Sequence, residues 1–256
     1  NVSTLSIRYN DAWARDNMPL FVSDGHQLRT VDFRFNAWGG DVDGLYSNYR
    51  EDDKLGQTMS KRFKLLSYHL PQFVLEGGSI IVDGEGTLIA TEACLLSKGR
   101  NPTLRKEEIE ETLRDYLGVD KVIWVPHGIY QDETNEHIDN MVAFMKPGEV
   151  VMAWCSDKKD PQYKYCQETY KALSKACDAK GRKLIIHKLA LPNPPLYLTL
   201  EETKGLRNEK TTLDKRVAGR RLAASYVNFY QGEDFVILPA FGVKEDALAL
   251  KTMKEL

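Results

Sequence analysis

The sequence predicts an α/β fold assembled from a repeated unit of hairpin, helix and strand. Three observations carry this. Turn chemistry recurs between β-prone runs at Asp24-Gly25, Asp83-Gly84, Pro147-Gly148 and Gly232. A stretch with helical character follows each turn, and after the first three turns a short apolar strand comes next. Polar clusters fall at matching places, at or just ahead of each hairpin.

Taken in order, the hairpins are SDGHQLRTVDFRF, SIIVDGEGTLIAT, MVAFMKPGEVVMAW and YVNFYQGEDFVIL. The helices expected after them are DDKLGQTMSKRFKLL, LRKEEIEETLRDYL, PQYKYCQETYKALSKACDAKG and EDALALKTMKEL, and the closing strands are QFVLEGG, KVIWVP and KLIIHKL. In the second helix Leu104, Ile109, Leu113 and Leu117 keep helical spacing, and Gly118 sits where a left-handed cap belongs. LPNPPLYLT and the charged run ETKGLRNEKTTLDKR read as an insertion or exposed loop. Units of this kind bury their apolar faces on one another, so they stack or close into a ring.

Composition narrows the function. The chain has 256 residues, 42% of them hydrophobic and 28% charged, with a net charge of −2. That balance suits a soluble globular protein and disfavours nucleic acid or an anionic membrane as partner. No apolar run is long enough to span a bilayer. Cys94, Cys155, Cys166 and Cys177 lack CxxC spacing and read as reduced thiols. Cys94 is expected in a hairpin strand, Cys155 just after one, and Cys166 and Cys177 in a helix. Asn1 leads almost directly into an apolar pattern and Leu256 ends on a helical one, which predicts a portion of a longer chain.

The stretch DETNEHIDNM sets His137 among Asp132, Glu133 and Asp139. A metal site, an acid/base pair and a solvated loop are all open there. Asp16 ahead of the first hairpin and Glu76 ahead of the second occupy matching places, with Asn228 inside the first strand of the fourth. If the units close around an axis, these positions converge. Carboxylates so gathered need a cation, and a planar guanidinium matches paired carboxylates with its N–H fork. Trp13 could pack over such a cation. A metal is the weaker rival, because His137 is the one nitrogen ligand beside these acids.

The segments WARDNMPLFV, FNAWGG, LEGGSIIVDGEGTLIATEACLL, GRNP, DETNEHIDN and AASYVNFY resemble those of agmatine deiminases, guanidine-modifying enzymes with a pentein fold. The resemblance runs from about Ser6 to Leu250, and bacterial peptidylarginine deiminases share several of these segments. It implies a pentein-type α/β propeller of ββαβ repeats, with residues 1–256 a single such domain lacking N- and C-terminal portions. It also implies hydrolysis of the agmatine guanidinium to a ureido group and ammonia. Asp16 and Asp139 would hold the guanidinium, Glu76 would be the active-site glutamate, and His137 the general acid/base. Glu133 and Trp13 would line the pocket. The resemblance implies no cofactor and no metal, a small-molecule guanidino substrate, a homodimer, a cytoplasmic location and a place in polyamine synthesis. The family's nucleophilic cysteine lies in a glycine-rich segment beyond the last helix here, so none of the four cysteines is expected to serve. Two alternatives stand: an arginine or peptidylarginine deiminase, in which Arg100 or Arg8 would meet a substrate carboxylate, and an inactive guanidinium-binding fragment.

Overall fold

A computed structural model describes residues 4–204 and 216–256. Most of the charged run placed in an exposed loop, 205–215, lies outside the described residues. By internal contact the chain forms two compact units. The first holds 4–78 and 98–118; the second holds 79–97, 119–204 and 216–256.

The first unit opens with a short helix, α1 (Ala14–Asn17), and the hairpin β1 (Leu20–Ser23) and β2 (Leu28–Arg34). Helices α2 (Gly40–Asp43), α3 (Arg50–Asp53) and α4 (Leu55–Arg62) lead to β3 (Leu66–Val74), which pairs parallel to β2. The expected helix 52–66 is therefore two shorter ones. It stops because Lys64 takes a left-handed φ of 56° and the Leu65 N–H returns to the Ser60 carbonyl. Strand β3 starts earlier than expected and runs through Pro71. A proline cannot donate to a ladder, and the register accordingly jumps from Leu70 opposite Phe33 to Val74 opposite Arg34. Phe35, Ala37 and Trp38 form a small buried cluster, with Trp38 edge-on to Phe35 at 5.1 Å.

The second unit begins with the hairpin β4 (Ile80–Val82) and β5 (Thr87–Thr91), followed by α5 (Glu92–Leu95). Thr91 ends β5 and caps α5 by accepting from the Cys94 N–H, so Cys94 lies in a helix rather than a strand. Next comes α6 (Lys106–Leu117), which belongs to the first unit. It buries Ile109 and Leu113, and Gly118 takes the left-handed cap at φ 66°. Strand β6 (Lys121–Val125) then pairs parallel to β5.

The third hairpin is β7 (Val142–Lys146) and β8 (Glu149–Trp154), followed by α7 (Pro161–Lys175) and β9 (Ile185–Ala190), parallel to β8. Asp160 caps α7 and Pro161 sits at its first position, both starting signals. The helix ends six residues before the expected 181. Ala176 turns extended, and Asp178 gathers the Lys180 and Arg182 N–H groups into a turn. Cys177 thus stands outside the helix. After α8 (Leu200–Thr203) comes the short hairpin β10 (Tyr230–Gln231) and β11 (Val236–Ile237), then α9 (Glu245–Glu255). Asn228 precedes β10 and is not in the strand.

The hairpin–helix–strand order read from the turns is thus present three times, and hairpin plus helix a fourth. The middle strands β5 and β8 are buried along nearly their whole length, as continuous apolar runs should be. One apolar cluster joins the sheets of the second unit, with Ile89 and Ile123 packed together with Val142, Val150, Leu189 and Ala249. Among the described residues no helix is long and apolar enough to cross a membrane.

Candidate active site

Asp16 and Glu76 stand in the first unit, Glu133, His137 and Asp139 in the second. Within the first, Asp16 is buried at the end of α1. Its Oδ2 accepts the Trp38 indole N–H at 3.1 Å and its Oδ1 the Gly78 backbone N–H at 2.9 Å. The first glycine after Glu76 has a physical reason: a Cβ on Gly77 would lie 2.1 Å from the Arg15 carbonyl oxygen, so only glycine lets the two backbones approach.

Glu76 is fully buried and so is Arg100. The Arg100 Nε lies 2.8 Å from one Glu76 oxygen and 3.1 Å from the other, while Nη1 donates to the Trp38 carbonyl at 2.6 Å. Trp38 thus links the two acids, its indole on Asp16 and its carbonyl on the cation that neutralises Glu76. A charge taken wholly out of water is tolerated only with such a partner. Arg100, one of two arginines expected to meet a substrate carboxylate in the alternative reading, is instead buried against Glu76. Arg8 is exposed. Trp13, expected over the cation, is 59% exposed just ahead of α1.

In the second unit the segment from His127 to Asn140 carries the other residues. His137 is 2% exposed and Asp139 lies buried in the single turn Ile138–Asn140. The segment is held in an unusual path. Gln131, Asn135 and Glu136 all have φ near +65°, a region that non-glycine residues enter only when the surroundings compel them. Asp132 supplies much of that compulsion. Its Oδ1 accepts the Thr134 N–H, and its Oδ2 accepts the His137 N–H at 3.2 Å, the Thr134 hydroxyl and the Asn140 amide. Thr91 donates to the Glu136 carbonyl at 2.7 Å, and Gly128 comes so close to Glu136 that a Cβ there would meet its backbone at 2.7 Å. Burial pushes the Glu136 carboxyl up, partly offset by the Gly128 N–H and His127. The Asn228 amide donates to Asn140, next to Asp139. His137 is thus fixed through its backbone before any ligand arrives.

Sequence reasoning missed Trp38, Arg100 and Asp132 as organisers, and Arg216. The Arg216 fork lies on Glu133, Nη2 to Oε1 at 3.0 Å and Nε to Oε2 at 3.3 Å. FNAWGG and GRNP contained two of these residues, but nothing local says which acid they meet. Asp132 had a signal: an Asp two residues before a Thr is the pattern of a side chain closing a turn on its own backbone.

All four cysteines are free thiols. Burial pushes Cys155 up to about 11 and also raises Cys166, whose sulfur donates to the Ala153 carbonyl. At both positions burial favours the neutral thiol over the thiolate. Cys94 is buried with its sulfur within 4.8 Å of a His137 ring nitrogen. Iodoacetamide at pH 8, followed by mass spectrometry, should label Cys155 roughly 10²-fold more slowly in the folded protein than in urea, given its small thiolate fraction. Equal rates in the two states would contradict the burial of that thiol.

Repeated ββαβ modules with buried acids and an anchored histidine in their connecting loops define a pentein-class α/β protein. A model of the Porphyromonas-type peptidyl-arginine deiminases matches residues 2–256, and the chain belongs to that family. It is 52% identical over 254 residues to a Selenomonas ruminantium protein named "Putative agmatine deiminase", covering 99% of this chain and 68% of that one. A solved agmatine deiminase of Enterococcus faecalis is 43% identical with a TM-score of 0.89, over 97% of this chain and 68% of the other. A C. jejuni agmatine deiminase solved with substrate bound is 28% identical with a TM-score of 0.79, over 100% and 68%.

Proposed function

We propose that this protein is an agmatine deiminase, hydrolysing the guanidinium of agmatine to N-carbamoylputrescine and ammonia. The observation that carries the reading is the buried imidazole of His137, anchored by Asp132 and followed two residues later by buried Asp139, in a chain half identical to proteins bearing that name.

The reading gives each residue a task. Asp16 and Asp139 accept hydrogen bonds from the guanidinium nitrogens and so keep positive charge at its central carbon. Trp38 and Gly78 fix the plane of the Asp16 carboxylate, which offers about four acceptor positions in all. Glu76 is the third carboxylate, and Glu133 and Trp13 line the pocket. A thiolate attacks the guanidinium carbon, and His137 as imidazolium protonates the departing nitrogen, which leaves as ammonia. The covalent thiouronium remains. His137, now neutral, takes a proton from water as that water adds to the same carbon. The C–S bond then breaks as the hydroxyl proton of the adduct passes to solvent, returning the thiolate and the ureido product. Holding the reactants in line for these steps is worth up to roughly 7–11 kcal/mol.

The attacking group is a cysteine thiolate, and Cys→Ser variants of Cys94, Cys155, Cys166 and Cys177, taken singly, test which of them supplies it: turnover lost specifically in one variant gives that cysteine the role. Residues 1–256 are assigned to one guanidine-modifying domain. A homodimeric, cytoplasmic enzyme of polyamine synthesis is part of the same reading and rests on the resemblance.

The test is ammonia release from agmatine, free arginine and a peptidylarginine side by side. Turnover of agmatine well above the other two is expected. A preference for arginine would point to the related deiminases, against which the burial of Arg100 argues. Agmatine bound but never consumed would leave a guanidinium-binding protein.

A further inference from the structure

We infer that Arg216 is a specificity-determining residue, competing with the distal ammonium of the substrate for Glu133. The inference rests on the reading above, which gives Glu133 a place in the pocket.

Residues 216–221 lie along the segment that leads to His137, and three arginines hold them there in different ways. Arg221 grips Asp160 at two points, 2.6 and 3.0 Å, with both side chains largely buried. Its guanidinium carbon lies 5.9 Å from the Tyr130 ring centroid. Arg220 donates to the Gln131 carbonyl at 3.2 Å. These two are attachments. Arg216 differs, because its fork on Glu133 is 34% exposed on the arginine side and 33% on the acid side. Water reaches both partners, so the pair is weak and can be exchanged.

The chemistry of the pair matters more than its strength. Agmatine is a dication, a guanidinium at one end of a four-carbon chain and an ammonium at the other. Glu133, four residues before His137 in the same segment, is a carboxylate available to the second charge. Arg216 places on that carboxylate an alkylguanidinium, the substrate's own functional group. An ammonium that pairs with Glu133 competes with Arg216 for the two oxygens its fork holds, whereas a ligand lacking one leaves the Arg216–Glu133 pair untouched.

The experiment uses the wild type, Arg216→Ala, Glu133→Gln and the double variant. Calorimetric Kd is measured for agmatine and for butylguanidine, which keeps the guanidinium and four-carbon chain but has no ammonium. Arg216→Ala should tighten agmatine binding about three- to fivefold, in line with the strength of an exposed ion pair, and leave butylguanidine unchanged. The gain should vanish when Glu133 is already Gln. Arg216→Gln, which keeps much of the stem without the charge, serves if Arg216→Ala fails to fold. Unchanged or weaker agmatine binding, an equal change for both compounds, or a gain that persists without Glu133 would overturn the inference. If the wild type hydrolyses agmatine but Arg216→Ala leaves its Kd alone, the inference alone fails. If no ammonia forms but the variant still tightens agmatine binding, the proposed reaction fails and the inference stands. No agmatine binding by any variant rejects both.

Discussion

His137→Ala lowers ammonia release from agmatine by about 10²–10⁴-fold, the range that a positioned general acid/base supplies. The loss falls on kcat, because Asp16 and Asp139, which hold the guanidinium in the proposed reaction, are untouched. The variant should still fold. What fixes this segment is backbone and neighbouring side chains: the His137 N–H on Asp132, Thr134 and Asn140 on the same carboxylate, and Thr91 on the Glu136 carbonyl. Alanine keeps every one of those bonds. Steady-state kinetics with agmatine, alongside a melting curve, checks this. Turnover within a few-fold of wild type would remove His137 from the mechanism, and a collapsed melting curve would make it structural.

Arg100→Ala destabilises the protein by about 3–5 kcal/mol, the usual consequence of removing one partner from a buried ion pair. The substitution takes from the buried Glu76 carboxylate the guanidinium that faces it, and it takes a donor from the Trp38 carbonyl. Two companion variants separate these causes. Arg100→Lys keeps the charge without the fork and should lose less. Glu76→Gln combined with Arg100→Met removes both charges and should recover part of the loss. Urea midpoints for the three variants decide the matter. A loss below about 1 kcal/mol in Arg100→Ala would mean that Glu76 finds another partner or is neutral, and that the pair does not organise this region.

Much of the fold was legible because it follows from local rules. The left-handed glycines Gly25, Gly84 and Gly148 turn the three well-formed hairpins, and Gly118 caps α6. The errors also have local causes. The helix expected through Leu66 ended at a left-handed Lys64. The helix expected through Gly181 ended where Asp178 captured the next turn. The strand expected from Gln72 had already begun at Leu66, since a proline interrupts a ladder without ending a strand. The fourth hairpin shrank to two residues a side, which left Asn228 outside it.

The site was legible in part. Residue type and placement singled out Asp16, Glu76, Glu133, His137 and Asp139 as candidates, and all but Glu133 are buried within their own units. Composition, turn spacing and the residues that could carry charge were thus determined by the sequence alone. The pairings were not. Trp38 meets Asp16 across 22 positions, Arg100 meets Glu76 across 24, and Arg216 meets Glu133 across 83. Periodicity reports which face of an element is buried, over a few residues at a time. Which acid meets which cation depends on how distant backbones cross, and only the tertiary structure decided that.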